Sequence, residues 1–202
     1  FISFFKKKIV YTVSILMYHG IVDDNENMHA WTLVKKSEFE KQIQFLKKHF
    51  KIITLNDLLS QDKRSSNDKR PKAIITFDDG LRNNYTVALP MLQKYNIPAT
   101  VYISTDSVQG NKLFWWDRII EAIHNAKIDK LDLDAYYLGT YNFQHDTAHK
   151  FFWGEIQRLL DDLKYLEPKA RQEVTNIIAG YDDHITNLNN SPFKPLTPNE
   201  VS

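Results

Sequence analysis

The chain has 202 residues, of which 43% are hydrophobic and 13% aromatic. This is enough apolar material for a core and argues against intrinsic disorder. The formal net charge is +1, so the composition indicates neither a nucleic-acid-binding surface nor an acidic tail. Because there is no cysteine, disulfides, zinc fingers and thiol catalysis are excluded, while the compartment stays undetermined.

The chain begins with a basic and apolar segment. Residues 6–8, all lysine, and the apolar residues after them resemble part of a signal peptide. No small-residue cleavage site follows, and the apolar run is too short to span a membrane. We therefore interpret residues 14–21 as a buried first strand. Localisation, in the cytoplasm or in the cell envelope, is left open.

Helix and strand signals alternate over the next part of the chain. Ser37 and Glu40 form a capping-box pattern that predicts the start of an amphipathic helix. Residues 51–55 predict a short strand, and Asn56 is predicted to cap a brief helix after it. The polar residues 61–72 predict a surface loop.

The apolar run AIITF, residues 73–77, is typical of a strand covered on both faces in a parallel sheet. Residues 81–96 predict a helix with Pro90 in the first turn of its regular part. Residues 97–105 predict the next strand. Strand and helix thus alternate from the first strand onward, which predicts an α/β fold with a parallel sheet or barrel.

A largely helical insertion is predicted at about residues 107–190, where three apolar faces repeat at helical spacing. Trp115 and Trp116 share one of these faces with isoleucines, which favours core packing over stacking on a sugar. After the insertion, Thr197 and Glu200 form a second capping-box pattern around a proline. We expect a helix to start there, and the natural protein to continue beyond it.

Two adjacent carboxylates follow the strand at 73–77. In parallel α/β folds, ligands bind at the carboxyl ends of the strands. Regular strand geometry sends adjacent side chains to opposite faces, but Gly80 lets the chain leave that geometry, so Asp78 and Asp79 can face one cup. A divalent cation would relieve their repulsion, leaving one as a ligand and one as a base for metal-assisted hydrolysis. A simple turn with a helix cap is the alternative.

The motif TFDDG, residues 76–80, resembles the first motif of the polysaccharide deacetylases, the NodB-homology or carbohydrate esterase family 4 group. The likeness covers roughly residues 14–120 and 195–202. The further segments that carry it are ILMYHGI at 15–21, ALPMLQKYNIPATVYIS at 88–104, LFWWDRI at 113–119 and LTPNEVS at 196–202.

The resemblance implies one deacetylase-like domain over residues 1–202, the N-terminal part of a distorted (β/α) barrel with a helical insertion. It implies a hydrolase that removes N- or O-linked acetyl groups from an acetylated glycan with a divalent metal, often zinc. Asp78 would be the general base and Asp79 a metal ligand. The family's two histidine ligands, in a later H-[S/T]-x-x-H motif, and its later arginine, aspartate and acid histidine cannot be placed here. Oligomeric state is left open.

Three histidines need an interpretation. His145 and His149 have the i, i+4 spacing of metal ligands. However, Asp146 stands where the family has Ser or Thr, and the pair lies in the insertion, so we expect the ligands after Ser202 instead. His19 ends the first strand on the same rim as the acidic pair, where it can contact substrate or be a buried, hydrogen-bonded histidine.

Two other functions stay open. A non-catalytic glycan-binding or scaffold domain could keep the same fold, and a histidine pair beyond residue 202 would separate that hypothesis from an enzyme. A phosphate-handling acidic site, as in response-regulator receivers, is disfavoured because the acidic pair follows the third predicted strand instead of the first. The sequence also has no Gly-rich phosphate loop. With one of three expected metal ligands, residues 1–202 alone are expected to be weakly active or inactive.

Overall fold

The computed structural model describes residues 13–60, 68–143, 149–182 and 188–201. The chain divides into two compact units. The first unit comprises the chain up to Lys112 and again from Pro192, and the second is Leu113–Ser191. The second unit falls where the sequence predicts the helical insertion.

The strands are β1 (Val13–Tyr18), β2 (Gly20–Val22), β3 (Leu33–Lys35), β4 (Lys51–Ile52), β5 (Lys72–Phe77), β6 (Thr100–Val101), β7 (Lys130–Asp132) and β8 (Thr140–Asn142). The α-helices are α1 (Lys36–His49), α2 (Leu55–Leu59), α3 (Leu89–Tyr95), α4 (Thr105–Gly110), α5 (Trp115–Asn125), α6 (His149–Lys164), α7 (Pro168–Ala179) and α8 (Pro198–Val201). A π-helical segment is Asn84–Ala88, and 3₁₀ turns lie at Asp134–Tyr136 and Leu188–Asn190.

A parallel sheet in the first unit positions the site. Its central strand, β5, pairs with β1 along its whole length, with β4 near its start and with β6 near its end. All of these pairings are parallel, as is that of β2 with β3. They confirm the predicted α/β fold class and agree with the start of a NodB-type barrel. The prediction of a buried strand at 73–77 is also confirmed.

One face of the sheet packs against α1 and α3. The rings of Tyr18, Phe39 and Phe77 lie 5.1 to 5.9 Å apart between centroids. The other buried members of this core are Ile21, Ile43, Leu46, Ile75, Ala88, Met91, Leu92 and Ile97. Burying one large apolar side chain stabilises the fold by about 1.5–3 kcal/mol. The core therefore fixes the ends of β1 and β5, directly before His19 and Asp78.

The first strand differs from its prediction in two ways. It is interrupted at His19, so residues 14–21 form β1 and the separate strand β2. It is also covered on one face only, because Ile15 and Met17 are 59% and 61% exposed while Leu16 packs against the core. Alternate side chains of a strand point to opposite faces, so one covered face produces this pattern.

The predicted caps of the first two helices are wrong. The amide of Ser37 lies inside α1 and donates to Oδ1 of Asp24 at 3.0 Å, so a distant loop supplies the acceptor. In α2 the N-cap is Thr54 instead of Asn56. The hydroxyl of Thr54 accepts from the amide of Asp57, and the Asp57 carboxylate accepts from the amide of Thr54. This is a capping box two residues earlier than predicted.

The helix predicted at 81–96 is present but contains the π-helical segment. Pro90, in the first turn of α3 as predicted, has no amide to donate to the preceding turn. The wider π turn lies directly before it. The strand predicted at 97–105 is reduced to β6, because its ladder with β5 ends where β5 ends, and α4 begins at Thr105.

The second unit contains a pair of packed helices and a hairpin. Helices α5 and α7 pack together, and β7 and β8 form an antiparallel hairpin in the segment where the sequence indicated mixed structure. The isoleucines of α5 are buried, whereas Trp115 and Trp116 are half-buried. The ring of Trp116 stacks on Phe114 with centroids 4.5 Å apart, and the guanidinium of Arg171 lies 5.3 Å over Trp115. These contacts agree with packing as the role of both tryptophans.

No helix in the described ranges combines the length and the apolarity needed to cross a bilayer.

Candidate active site

The acidic pair lies at the carboxyl end of β5, as predicted. The amide of Asp78 donates to the carbonyl of Tyr18 at 2.8 Å, and the amide of Tyr102 donates to the carbonyl of Phe77 at 2.8 Å. The end of β5 is therefore held by the strand ends on either side. Both Asp78 and Asp79 are half-buried.

The backbone leaves strand geometry one residue earlier than the sequence suggested. Asp79 has φ of 70° and Gly80 has φ of 65°, so both are left-handed. Aspartate is one of the few residues other than glycine that adopt this conformation. A Cβ at Gly80 would also lie 2.9 Å from Cγ2 of Ile103. Two consecutive left-handed residues therefore end the strand and its alternation of side chains.

The carboxylate of Asp79 lies beside the imidazole of His19. Its Oδ2 is 3.9 Å from Nε2 of His19, and the two side chains are 26% and 25% exposed. Burial raises the pKa of the Asp79 carboxyl above its usual value, positive charge on His19 opposes the rise, and the negative charge of Asp78 adds to it. The site thus holds a carboxylate whose negative charge is disfavoured by its surroundings.

These donors fit part of a metal site. A carboxylate oxygen and an imidazole nitrogen are ligand types that zinc accepts. Within the described ranges, however, no group of three His, Asp or Glu side chains lies close enough together to hold a metal ion. The predicted metal ligand Asp79 and the predicted substrate contact His19 are brought together. The alternative ligands fall elsewhere: His145 and the side chain of His149 lie outside the described residues.

A segment that no sequence pattern indicated supports the acidic loop. The amide of Arg82 donates to the carbonyl of Lys194 at 2.7 Å, and the amide of Leu196 donates to the carbonyl of Gly80 at 2.9 Å. The residues after the acidic pair are thus bound to a segment more than a hundred residues away in sequence. No local signal predicts such pairing, because propensity and spacing report only on near neighbours.

The helix predicted near residue 197 is present as α8. Oε2 of Glu200 accepts from the amide of Thr197 at 2.9 Å, which is the predicted side-chain contact of a capping box. Oε1 of the same carboxylate accepts from Nε of Arg82 at 2.8 Å. This second contact ties the start of α8 to the helix that follows the acidic loop.

Comparison with known proteins identifies the family. Residues 65–131 match the family model for polysaccharide deacetylase. YxkH of Bacillus subtilis is 36% identical over 131 residues, which are 60% of this chain and 44% of that protein. The poly-β-1,6-N-acetyl-D-glucosamine N-deacetylase of Staphylococcus epidermidis is 32% identical over 141 residues, 67% of this chain and 45% of that protein. The solved structure of a de-N-acetylase from Aggregatibacter actinomycetemcomitans gives a TM-score of 0.44 at 22% identity, covering 50% of this chain and 42% of that one.

Over the matched segment, which contains the TFDDG motif, the chain belongs to the polysaccharide deacetylase family. The resemblance drawn from the sequence is therefore confirmed. The chain spans less than half the length of the curated relatives it matches.

Proposed function

We propose that this chain carries the acidic part of the active site of a metal-dependent hydrolase that removes acetyl groups from a glycan. The observation that supports the proposal is the geometry at the end of β5. There, the imidazole of His19 lies 3.9 Å from the carboxylate of Asp79. Asp79 and the adjacent Asp78 are both half-buried and belong to the segment that matches the deacetylase family model. Buried titratable groups that perturb one another are typical of catalytic sites.

Asp78 is proposed as the general base. Its backbone is fixed by the hydrogen bond from its amide to Tyr18, so its carboxylate is presented from a rigid strand end. In hydrolysis, this carboxylate would take a proton from the water molecule that attacks the acetyl carbonyl. A positioned general base contributes about 10²- to 10⁴-fold to such a step.

Asp79 is proposed as a ligand of a divalent cation, with zinc as the first candidate. Burial and the charge of Asp78 both disfavour its free carboxylate, and a bound cation would remove that penalty. When bound, the cation would supply polarisation of the acetyl carbonyl and of the attacking water. We propose that His19, on the same rim, contacts the substrate, and we expect the group that protonates the leaving amine or hydroxyl beyond the described residues.

The proposed substrate is an acetylated glycan of a cell envelope or capsule. The Staphylococcus epidermidis relative is named for N-deacetylation of poly-β-1,6-N-acetyl-D-glucosamine. An N-acetylated oligosaccharide with β-1,6 linkage is therefore the first substrate to test. An O-acetylated oligosaccharide of equal length tests the alternative acetyl linkage.

The test is acetate release by the full-length gene product that contains this sequence. We expect release from one of the two oligosaccharides, loss of release after treatment with a chelator, and recovery on adding Zn²⁺. Oligosaccharide binding without release would favour the glycan-binding scaffold instead. If the protein neither binds the oligosaccharides nor releases acetate from them, both hypotheses are contradicted.

Residues 1–202 alone provide a second test. We expect this chain to release little or no acetate, because the described residues bring together fewer than three ligand side chains. Tight zinc binding together with acetate release by residues 1–202 would contradict this expectation.

A further inference from the structure

Asn83, four residues after Asp79, uses both ends of its carboxamide. Its Nδ2 donates to the carbonyl of Pro192 at 2.7 Å, and its Oδ1 accepts from the amide of Ile21 at 3.2 Å. The adjacent Asn84 differs, because it is 4% exposed and neither of its side-chain polar atoms has a partner among the described residues. One asparagine of the pair therefore links three chain segments, and the other links none.

The contact between Asn83 and the rim is close. A Cβ added at Gly20 would lie 3.2 Å from Nδ2 of Asn83, so the glycine backbone packs directly against the carboxamide. The amide of Gly20 itself donates to the carbonyl of Thr32 on the other side. The amide of Ile21 points the opposite way, toward Asn83, because the amides of adjacent residues in a strand point to opposite sides.

These contacts bracket His19. On one side, the carbonyl of Tyr18 accepts from the amide of Asp78, and on the other, the amide of Ile21 donates to Asn83. Both partners belong to the segment that carries the acidic pair. The backbone of His19 is thus tied to that segment immediately before and soon after the histidine.

We propose that Asn83 is a positioning residue that holds residues 19–21 against the acidic loop and keeps the imidazole of His19 facing the carboxylate of Asp79. A role of the His19–Asp79 pair in catalysis rests on the proposed function, but the positioning of His19 by Asn83 does not. Without the Asn83 bond, the segment after His19 keeps its backbone pairing with β3 and loses this hydrogen bond to the acidic segment.

The first test is amide hydrogen exchange, measured by NMR on the ¹⁵N-labelled 202-residue chain. In Asn83→Ala, we expect the Ile21 amide to exchange about five- to tenfold faster, since one hydrogen bond contributes about 1 kcal/mol. The Ile75 amide, in the middle of β5, should be unchanged because the opening is local. An unchanged rate for Ile21 would overturn the proposal.

Two further variants separate positioning from general stability. Asn83→Asp keeps an oxygen that can accept from Ile21 and should preserve the slow exchange of that amide. Asn84→Ala is the matched control, because Asn84 has no hydrogen bond to lose among the described residues, and Ile21 should exchange as in the wild type. If Asn83→Ala does not fold, Asn83→Ser carries the same comparison. Equal acceleration in Asn83→Ala and Asn84→Ala would contradict a specific role for Asn83.

The second test follows paramagnetic broadening by substoichiometric Mn²⁺. In the wild type, we expect broadening of both the Gly80 amide signal and the His19 ring-proton signals. In Asn83→Ala, broadening at Gly80 should persist while that of the His19 ring weakens, because the ring is no longer held toward Asp79. Equal broadening of the His19 ring in both proteins, or joint loss at both residues, would overturn the positioning role. If the wild type shows no broadening, the exchange measurement alone decides on Asn83, and acetate release by the full-length gene product decides on the metal.

Discussion

Along β5, every residue from Ala73 to Phe77 is at most 4% exposed and lies in a regular parallel ladder. Directly after it, Asp79 and Gly80 turn into left-handed conformations, and the pKa of Asp79 is raised chiefly by burial. The strand follows each rule that stabilises a fold, and the loop departs from several of them at once. Such a local departure, supported by a rigid neighbour, is what a functional site is expected to look like.

The largest effect should come from the strand. Phe77→Ala removes a ring that is 1% exposed and contacts the rings of Tyr18 and Phe39. We expect the free energy of unfolding to fall by about 3–5 kcal/mol in urea titration, from lost burial and the cavity left behind. The exposed Val101, also on the sheet, is the control, and Val101→Ala should cost less than about 1 kcal/mol. Similar losses in both variants would break the contrast between core and surface.

Gly80→Ala tests whether the turn after the acidic pair needs glycine. The new methyl would lie 2.9 Å from Ile103, and alanine is disfavoured at a φ of 65°. We expect a loss of about 1–3 kcal/mol in the free energy of unfolding.

Gly154 offers a matched control in α6, because a Cβ there meets no atom within 4 Å. Gly154→Ala should stabilise the chain by about 0.5–1 kcal/mol through helix propensity. If Gly80→Ala were as well tolerated as Gly154→Ala, the loop would not be constrained as described.

Asp79→Asn should raise the free energy of unfolding, whereas Phe77→Ala and Gly80→Ala lower it. Burial raises the pKa of Asp79 in the folded chain above the 3.8 of an unfolded chain. The protonated carboxyl is therefore favoured more in the folded chain than in the unfolded one. The ionised carboxylate then lowers stability as pH rises above that value. Asparagine has no charge and tolerates a φ of 70°, so at pH 7 the variant should be more stable by up to about 1 kcal/mol.

That advantage should shrink as the pH is lowered toward 4, because the wild-type carboxyl then becomes protonated. Asp79→Ala removes the same charge but places alanine in the left-handed region, which costs about 1–2 kcal/mol. Chemical unfolding of the three proteins at pH 7 and pH 4 provides the comparison. An asparagine variant less stable than the wild type at pH 7 would show that the site does not disfavour the ionised carboxylate of Asp79.

The sequence predicts features that depend on near neighbours. The apolar run at 73–77 predicts β5, and the alternation of elements predicts the parallel sheet. The motif after the run predicts that Asp78 and Asp79 lie at the strand end. The proximity of His19 and Asp79 follows from parallel pairing of the strands before them, because parallel strands end at the same edge.

Features set by distant residues could not be predicted in this way. Asp24 supplies the acceptor for the start of α1, and Asn83 bonds Pro192 across 109 positions. The length of β6 depends on where its partner β5 stops, which the β6 sequence does not report. The left-handed angle of Asp79 also escapes prediction, since most aspartates in turns keep a negative φ.

The central claim is that Asp78 is a base and not a structural turn residue. Its most direct test is the rate of acetate release by the full-length gene product and its Asp78→Asn variant, measured on the acetylated oligosaccharide that the wild type accepts. We expect kcat to fall about 10²- to 10⁴-fold, with the free energy of unfolding within about 1 kcal/mol of the wild type. Wild-type kcat in a folded Asp78→Asn variant would contradict the account.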